Sequence, residues 1–385
     1  MIDLVPADGY VVSPLDFAAR FSTNLSGVER IFLEQNASLF GTEAEIPPTL
    51  RTPWIAASGS AGENADRIVA RPSGVRSAVW DAEQIQFKGC RPAPEAADFP
   101  FEHVEFGGDR IISTRVPFGV MTAEAVSREL LGHCFCKTYG IPCATTPMCV
   151  FGYSSGPAAN RFCLVLKLAG GTRAEKFLGT KPLPLSELVS PSADSAVFTG
   201  SEVVMEGLNT VWHADQKGRW LAELHFRGAF RGLLNNNVGN DVVQFLPSGK
   251  HRFLLRDFDS FQLISLPLAA SREFLSAFAV QCVVEVVKGS LPILDYVSTQ
   301  TGEDAQQVLP RIGAVYRRKS SLWNSYFRYA RLKARALAWS EAEFVSATER
   351  AFESMAFLEA SCSVILSDYA LERHRRRRPQ PYVFH

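Results

Sequence analysis

Apolar and polar positions alternate with period two over Gln84-Ile85-Gln86-Phe87-Lys88, which predicts a half-buried strand. Ile85 and Phe87 share one face, and Lys88 lies on the other beside Gln84 and Gln86. Further strands are expected over Thr146 to Tyr153 and Arg161 to Leu168, the latter breaking at Gly170-Gly171, a glycine pair suited to a hinge. Between them Thr122 to Tyr139 reads as a helix, with Thr122 as N-cap, Glu124 in the first turn and Gly140-Ile141-Pro142 as the stop. Ala125, Glu129, Gly132 and Cys136 fall on one face, where small neighbours allow close packing and Glu129 projects. Residues 1 to about 75 have weak periodicity, and the small-residue run Ala56 to Ala65 reads as a surface loop, with a phosphate-covering turn as the alternative.

The pattern changes after the glycine pair. Leu183 to Phe198 is a Pro/Ser-rich loop, and Gly218 to Leu234 reads as a helix with apolar positions at Leu221, Leu224, Ala229 and Leu233 or Leu234. A polar turn, Pro247 to Lys250, leads into the apolar run Phe253 to Leu255, which ends on Asp257 and Asp259 flanking Phe258. Helical segments are expected over Ala269 to Lys288, Asp304 to Val315, Ser320 to Trp339 and Glu341 to Leu371. This order predicts an α+β protein of two lobes: a strand-rich lobe over 1–170 with one main helix, then a mostly helical lobe over 171–385. Such an order is that of a protein-kinase-like fold.

Composition narrows the function classes. With 385 residues, 46% of them hydrophobic and 21% charged, the chain is long enough for two buried cores. Lys plus Arg and Asp plus Glu both total 40, so no global field points to nucleic acid or to an acidic substrate. The eight cysteines, Cys90, Cys134, Cys136, Cys143, Cys149, Cys163, Cys282 and Cys362, follow no regular framework and fit reduced thiols in a cytoplasmic protein. Their spacing beside His133 lacks the paired C-x2-C knuckles of structural zinc sites, and several fall at core-like positions, so small buried thiols are expected. His103, His213, His225 and His251 have no triad-like company, and no serine sits in a G-x-S-x-G elbow, which argues against a hydrolase. The N-terminus has no basic region followed by an apolar run, and no 18-residue apolar segment occurs, so a non-membrane protein is expected.

Candidate chemistry gathers around GLLNNNVGND and RDFDSF. Asn235 and Asn240 are five residues apart, the spacing between the catalytic and metal-binding side chains of kinase-type catalytic loops. Asn240 and Asp257 supply the hard oxygen ligands magnesium prefers, with substrate phosphates completing its shell, so Mg2+ and ATP are the expected cofactors. A strand lysine is ordinarily a solvated charge. Paired with a glutamate on the following helix, however, it aims an ammonium at ATP phosphates, and Lys88 with Glu129 has that order.

The segments QFKGCRPAP and STRVPFGVMTAEAVSRELLGHCFCKTYGIP, with the DFD run, resemble the selenoprotein-O family, kinase-like enzymes that transfer AMP to protein hydroxyls. The resemblance covers about Trp80 to Arg173 plus Phe230 to Phe261. It implies that Lys88 binds phosphate, that Glu129 is its helix partner, that Asn240 and Asp257 bind the metal, and that Lys167 and Arg173 hold the phosphates of an inverted ATP. At the base position Asn235 cannot accept a proton as a carboxylate can, so Asp241 or Asp259 supplies the base, or none is used. The glycine that follows the acid-aromatic pair in the family is Asp259 here. Two readings follow: an Mg-ATP-dependent transferase moving AMP or phosphate to a protein or other hydroxyl acceptor, and an inactive kinase-like scaffold that binds a protein partner. The basic run Arg373 to His385 adds a docking segment to the second.

Overall fold

The computed structural model describes residues 1–57, 66–73, 76–92, 98–99, 104–107, 110–113, 116–117, 119–178, 196–198, 203–205, 208–232, 240–264, 321–346 and 348–349. Early in the chain lie β1 (Ile2–Pro6), β2 (Gly9–Val12), β3 (Trp54–Ala56), β4 (Ile68–Ser73), β5 (Ser77–Trp80) and β6 (Ile85–Lys88). Two short ladders follow, β7 (Asp98–Phe99) with β10 (Val116–Pro117) and β8 (Val104–Gly107) with β9 (Arg110–Ser113). The long strands β11 (Thr145–Tyr153) and β12 (Phe162–Leu168) then complete a curled eight-stranded antiparallel sheet of order β2-β11-β12-β6-β5-β4-β1-β3.

Its alternation separates two environments. Ile85 and Phe87 of β6, with Cys163 and Val165 of β12 and Ala78 of β5, enter one core with Leu4, Leu50, Ile68 and Phe151. Gln86 and Lys88 therefore point to the other face, where Lys88 stands between Ser77 of β5 and Leu164 of β12. Lys88 is buried, not solvated as a strand lysine ordinarily is. The thiols of Cys90, Cys134, Cys136, Cys149 and Cys163 are free and buried, and Cys143 is free and half-buried.

The weak periodicity of residues 1–75 conceals regular structure. Helix α1 (Pro14–Phe21) is capped by Ser13, whose hydroxyl accepts from Asp16 N, and proline opens its first turn. Helix α2 (Gly27–Asn36) begins with a capping box between Ser26 and Glu29. Helices of 8 and 10 residues are too short to show a clear period, so their caps are the readable signal.

Helix α3 (Ala123–Thr138) matches the sequence expectation, with the Thr122 hydroxyl accepting from Ala125 N. Its residues from Ala125 to Cys136 are all buried, because the helix packs against β11 and β12 and against α1 and α2.

Beyond β12, Gly170 and Gly171 take φ of +79° and +111° and lead into β13 (Thr172–Arg173) and α4 (Ala174–Leu178). Strands β14 (Ala196–Phe198) and β15 (Val203–Met205) pair with each other. A helix spans Leu208–His225, not residues 218–234: Gly228, at φ +77°, turns the chain, and Ala229–Phe230 forms β16. The expected hairpin is present as β17 (Asp241–Phe245) and β18 (His251–Leu255), closed by Leu246 N donating to Lys250 O at 2.9 Å. The chain then passes through Asp257 to β19 (Gln262–Leu263), which pairs with β16.

Contacts divide the chain into two compact units, Met1–Phe99 with Val116–Gly179 and Arg227–Pro267, and Pro100–Arg115 with Thr180–Phe226 and Leu268–His385. In the second, helix Leu208–His225 packs on helix Ser321–Ala336, and His225 Nδ1 lies 2.9 Å from the Tyr326 hydroxyl. The segments expected to be helical over 269–288 and 304–315, the small-residue run from 58 to 65, and the basic C-terminal run lie outside the described residues. Among the described residues no helix is long and apolar enough to cross a membrane.

Candidate functional site

The first unit assembles its charged centre from three distant segments. Lys88, from β6, donates to Glu129 Oε2 of α3 at 2.8 Å and also reaches Asp257, while Asp259 Oδ2 lies 3.1 Å away. Arg76 closes on Asp259 from the turn before β5. Glu129, Asp257 and Asp259 thus bring carboxylate oxygens within 4.8 Å of one another. Among the described residues, three carboxylates and two cations, Lys88 and Arg76, meet here in a buried place.

Electrostatics follow from that count. Burial alone would lower the Lys88 ammonium, yet the adjoining Asp257, Asp259 and Glu129 outweigh it and raise its pKa. Burial pushes the Glu129 carboxyl up to about 7; Lys88 pulls it down, and the two aspartates oppose that pull. Among the described residues the buried Glu129 Oε1 has no hydrogen-bond partner, although its twin Oε2 accepts from both Lys88 and Phe258 N.

Backbone geometry around Asp257 is equally constrained. Asp257 adopts φ +69°, a left-handed conformation that aspartate tolerates better than most residues. Its neighbours are held on both sides: Arg231 Nη2 donates to Arg256 O at 2.6 Å, and Phe258 N donates to Glu129 Oε2 at 2.7 Å. A strained torsion persists where the surroundings determine it in this way.

Packing fixes the segment against α3. Phe258 lies edge-on to His133 at 5.0 Å and covers Gly132, and Phe261 packs on Phe135 at 5.4 Å. His133 Nδ1 is 2.8 Å from Glu129 O and Nε2 is 2.7 Å from Thr145 Oγ1. Because a carbonyl only accepts, Nδ1 carries the proton and Nε2 accepts from the threonine. Burial lowers the pKa of this imidazole to about 4, so it stays neutral. Arg128 ties the following stretch down by donating to Phe261 O at 3.1 Å and to Glu29 Oε1 at 3.0 Å.

The remaining expected residues have separate places. Lys167 donates to Glu83 O at 2.7 Å on the exposed end of β12; being paired with Ile85, it belongs to the opposite sheet face from Lys88. Arg173 reaches Ser73 Oγ at 3.4 Å. The Asp241 carboxylate is fully buried and is taken by Arg231, which also binds Asn240 O at 2.6 Å. Asn240 leads directly into β17, and Asn235 lies outside the described residues.

Sequence reasoning missed Arg76, Gln86 and Arg256. Arg256 Nη2 donates to Gln86 Oε1 at 2.8 Å, across 170 residues of chain. Its only local signal was its place beside Asp257.

The chain matches no protein-family model and no curated protein sequence.

Proposed function

We propose that the first unit belongs to the nucleotide-binding part of a protein-kinase-like fold, and that the protein is an Mg-ATP-dependent transferase moving AMP or phosphate to a protein or other hydroxyl acceptor. One observation carries this reading: the Lys88 ammonium joins a helix glutamate, Glu129, to Asp257 on the segment after a hairpin. In phosphoryl-transfer sites of this kind the strand lysine and helix glutamate form one pair, and the aspartate serves the metal.

The donor set suits a hard divalent cation. Carboxylate oxygens converge, and one of them is buried without a hydrogen-bond partner among the described residues. Asp257 with Asn240 would hold the ion, and Glu129 and Asp259 lie within reach of it. A bound Mg2+ would offset the charge of the phosphate oxygens. The chain's own groups orient: Glu129 fixes the direction of Lys88, Lys88 supplies a phosphate contact, and Arg173 supplies another. Asp241 is occupied by Arg231 and Asp259 by Arg76 and Lys88, so the reading places the rate enhancement in positioning and charge more than in a general base.

A second reading, the inactive scaffold, is favoured by Asp259. This third carboxylate engages Lys88 where the resembled family has glycine.

The test incubates the full chain and Mg2+ with ATP labelled at either the α- or the γ-phosphate, alongside Lys88→Ala and Asp257→Ala. Label retained from the α-phosphate alone supports AMP transfer, and retention of the γ label supports phosphate transfer. If neither label moves and ATP produces no thermal shift, the transferase reading fails and the scaffold replaces it.

A further inference from the structure

Two arginines of the first unit, Arg256 and Arg173, reach neutral polar side chains on the Lys88 face of the sheet. Arg256 donates to the neutral Gln86 amide at 2.8 Å, and Arg173 reaches the neutral Ser73 hydroxyl at 3.4 Å. Among the described residues neither has a carboxylate within ion-pair distance, whereas the neighbouring Arg71 is paired with Asp81 at 2.9 Å. A guanidinium presents five donors and is ordinarily paired when it is withdrawn from water.

Strand register locates the pair. Ser73 of β4 opposes Ser77 of β5, and Ser77 opposes Lys88 of β6, so Arg173 and Lys88 approach one row of the sheet from its two ends. Gln86, which orients Arg256, lies two positions from Lys88 on the same strand face. Two strand spacings, about 10 Å, separate the ends of that row. This span exceeds one phosphate and suits a chain of them. Planar guanidinium forks match phosphate oxygens bidentately, which an ammonium cannot do.

We infer that Arg173 and Arg256, not Lys167, form an oxyanion subsite that takes the polyphosphate of the ligand, with Lys88 at its acidic end. The identity of that ligand as a nucleotide rests on the reading above; its charge does not. The same chemistry would hold inorganic tripolyphosphate, so the two sources are separated by experiment.

Calorimetric titration of the full-length protein with tripolyphosphate, ATP and adenosine tests this in wild type, Arg173→Gln, Arg256→Gln and Lys167→Gln. Tripolyphosphate and ATP are expected to bind at least tenfold more weakly to either arginine variant and unchanged to Lys167→Gln, with adenosine insensitive throughout. Arg173→Lys and Arg256→Lys, which keep the charge and lose the fork, should fall between; these also serve if a glutamine variant does not fold. Undiminished polyphosphate binding in the arginine variants overturns the subsite, as does a wild type that binds none. ATP-dependent transfer undiminished in both glutamine variants would overturn the subsite and leave the transferase standing. Arginine-dependent tripolyphosphate binding with no ATP-dependent transfer would support the subsite and remove the transferase.

Discussion

Gly132 and Phe258 meet where α3 receives the segment after β18: a Cβ on residue 132 would stand 2.5 Å from the Cβ of Phe258 and 2.6 Å from its Cγ. Glycine is therefore required by close approach and not by helix propensity, which disfavours it by about 1 kcal/mol. Gly132→Ala is expected to lower stability by about 1–3 kcal/mol through overpacking, despite the better helix former. Urea unfolding measures it. Phe258→Leu in the same chain keeps both the Cβ and the Cγ that a Cβ on residue 132 would meet and should leave most of the loss in place, whereas a stabilised Gly132→Ala single variant would show that Phe258 moves freely.

Arg231 and Asp241 form a pair with no exposed side-chain surface. Removing one partner strands the other, so Arg231→Met should cost about 3–5 kcal/mol. The double variant Arg231→Met with Asp241→Leu should be less damaging than the single one, which a double-mutant cycle checks. Two further bonds from Arg231, to Asn240 O and Arg256 O, keep the recovery incomplete.

Opposed pH dependences meet on α3. His133 has its folded pKa lowered from 6.5 to about 4, so it contributes stability above pH 6.5 that is lost as pH falls toward 4. Glu129 has its folded pKa raised from 4.5 to about 7, so its contribution is present below pH 4.5 and is lost as pH rises toward 7. The two contributions run in opposite directions across the same interval in the wild type. His133→Gln should therefore lose stability between pH 5 and 7 relative to wild type, and Glu129→Gln should gain it over the same interval. Denaturant unfolding at the two pH values reads both slopes, and parallel curves for all three proteins would refute the assignment.

Thr122 caps α3 through its hydroxyl. Thr122→Ala should cost about 1 kcal/mol, and Thr122→Ser should retain most of the cap, as thermal unfolding would show.

Local chemistry explains which parts were readable in advance. Thr122 and Gly140 mark the ends of α3, and the alternation of β6 and the turn before β18 set those strands, because each signal lies within a few residues. The short helices α1 and α2 carry only cap signals, and the turn at Gly228 ended a helix that apolar spacing would have extended. Lys88, Glu129 and Asp257 were nameable from residue type and order. Burial of Lys88, and the approach of Arg76 to Asp259 across 183 residues, depend on long-range packing that no local window contains. Lys167 shows the same limit, since one position along β12 decides which sheet face it serves.

The left-handed torsion at Asp257 makes the direction of its carboxylate a property of the main chain, since a change of φ swings the Cα–Cβ bond itself and not merely a rotamer. Arg231 grips the peptide before it and Glu129 the peptide after it. Aim at this position is thus shared between Arg231 and Glu129, and loosening either grip would turn the acid away while leaving its chemistry intact.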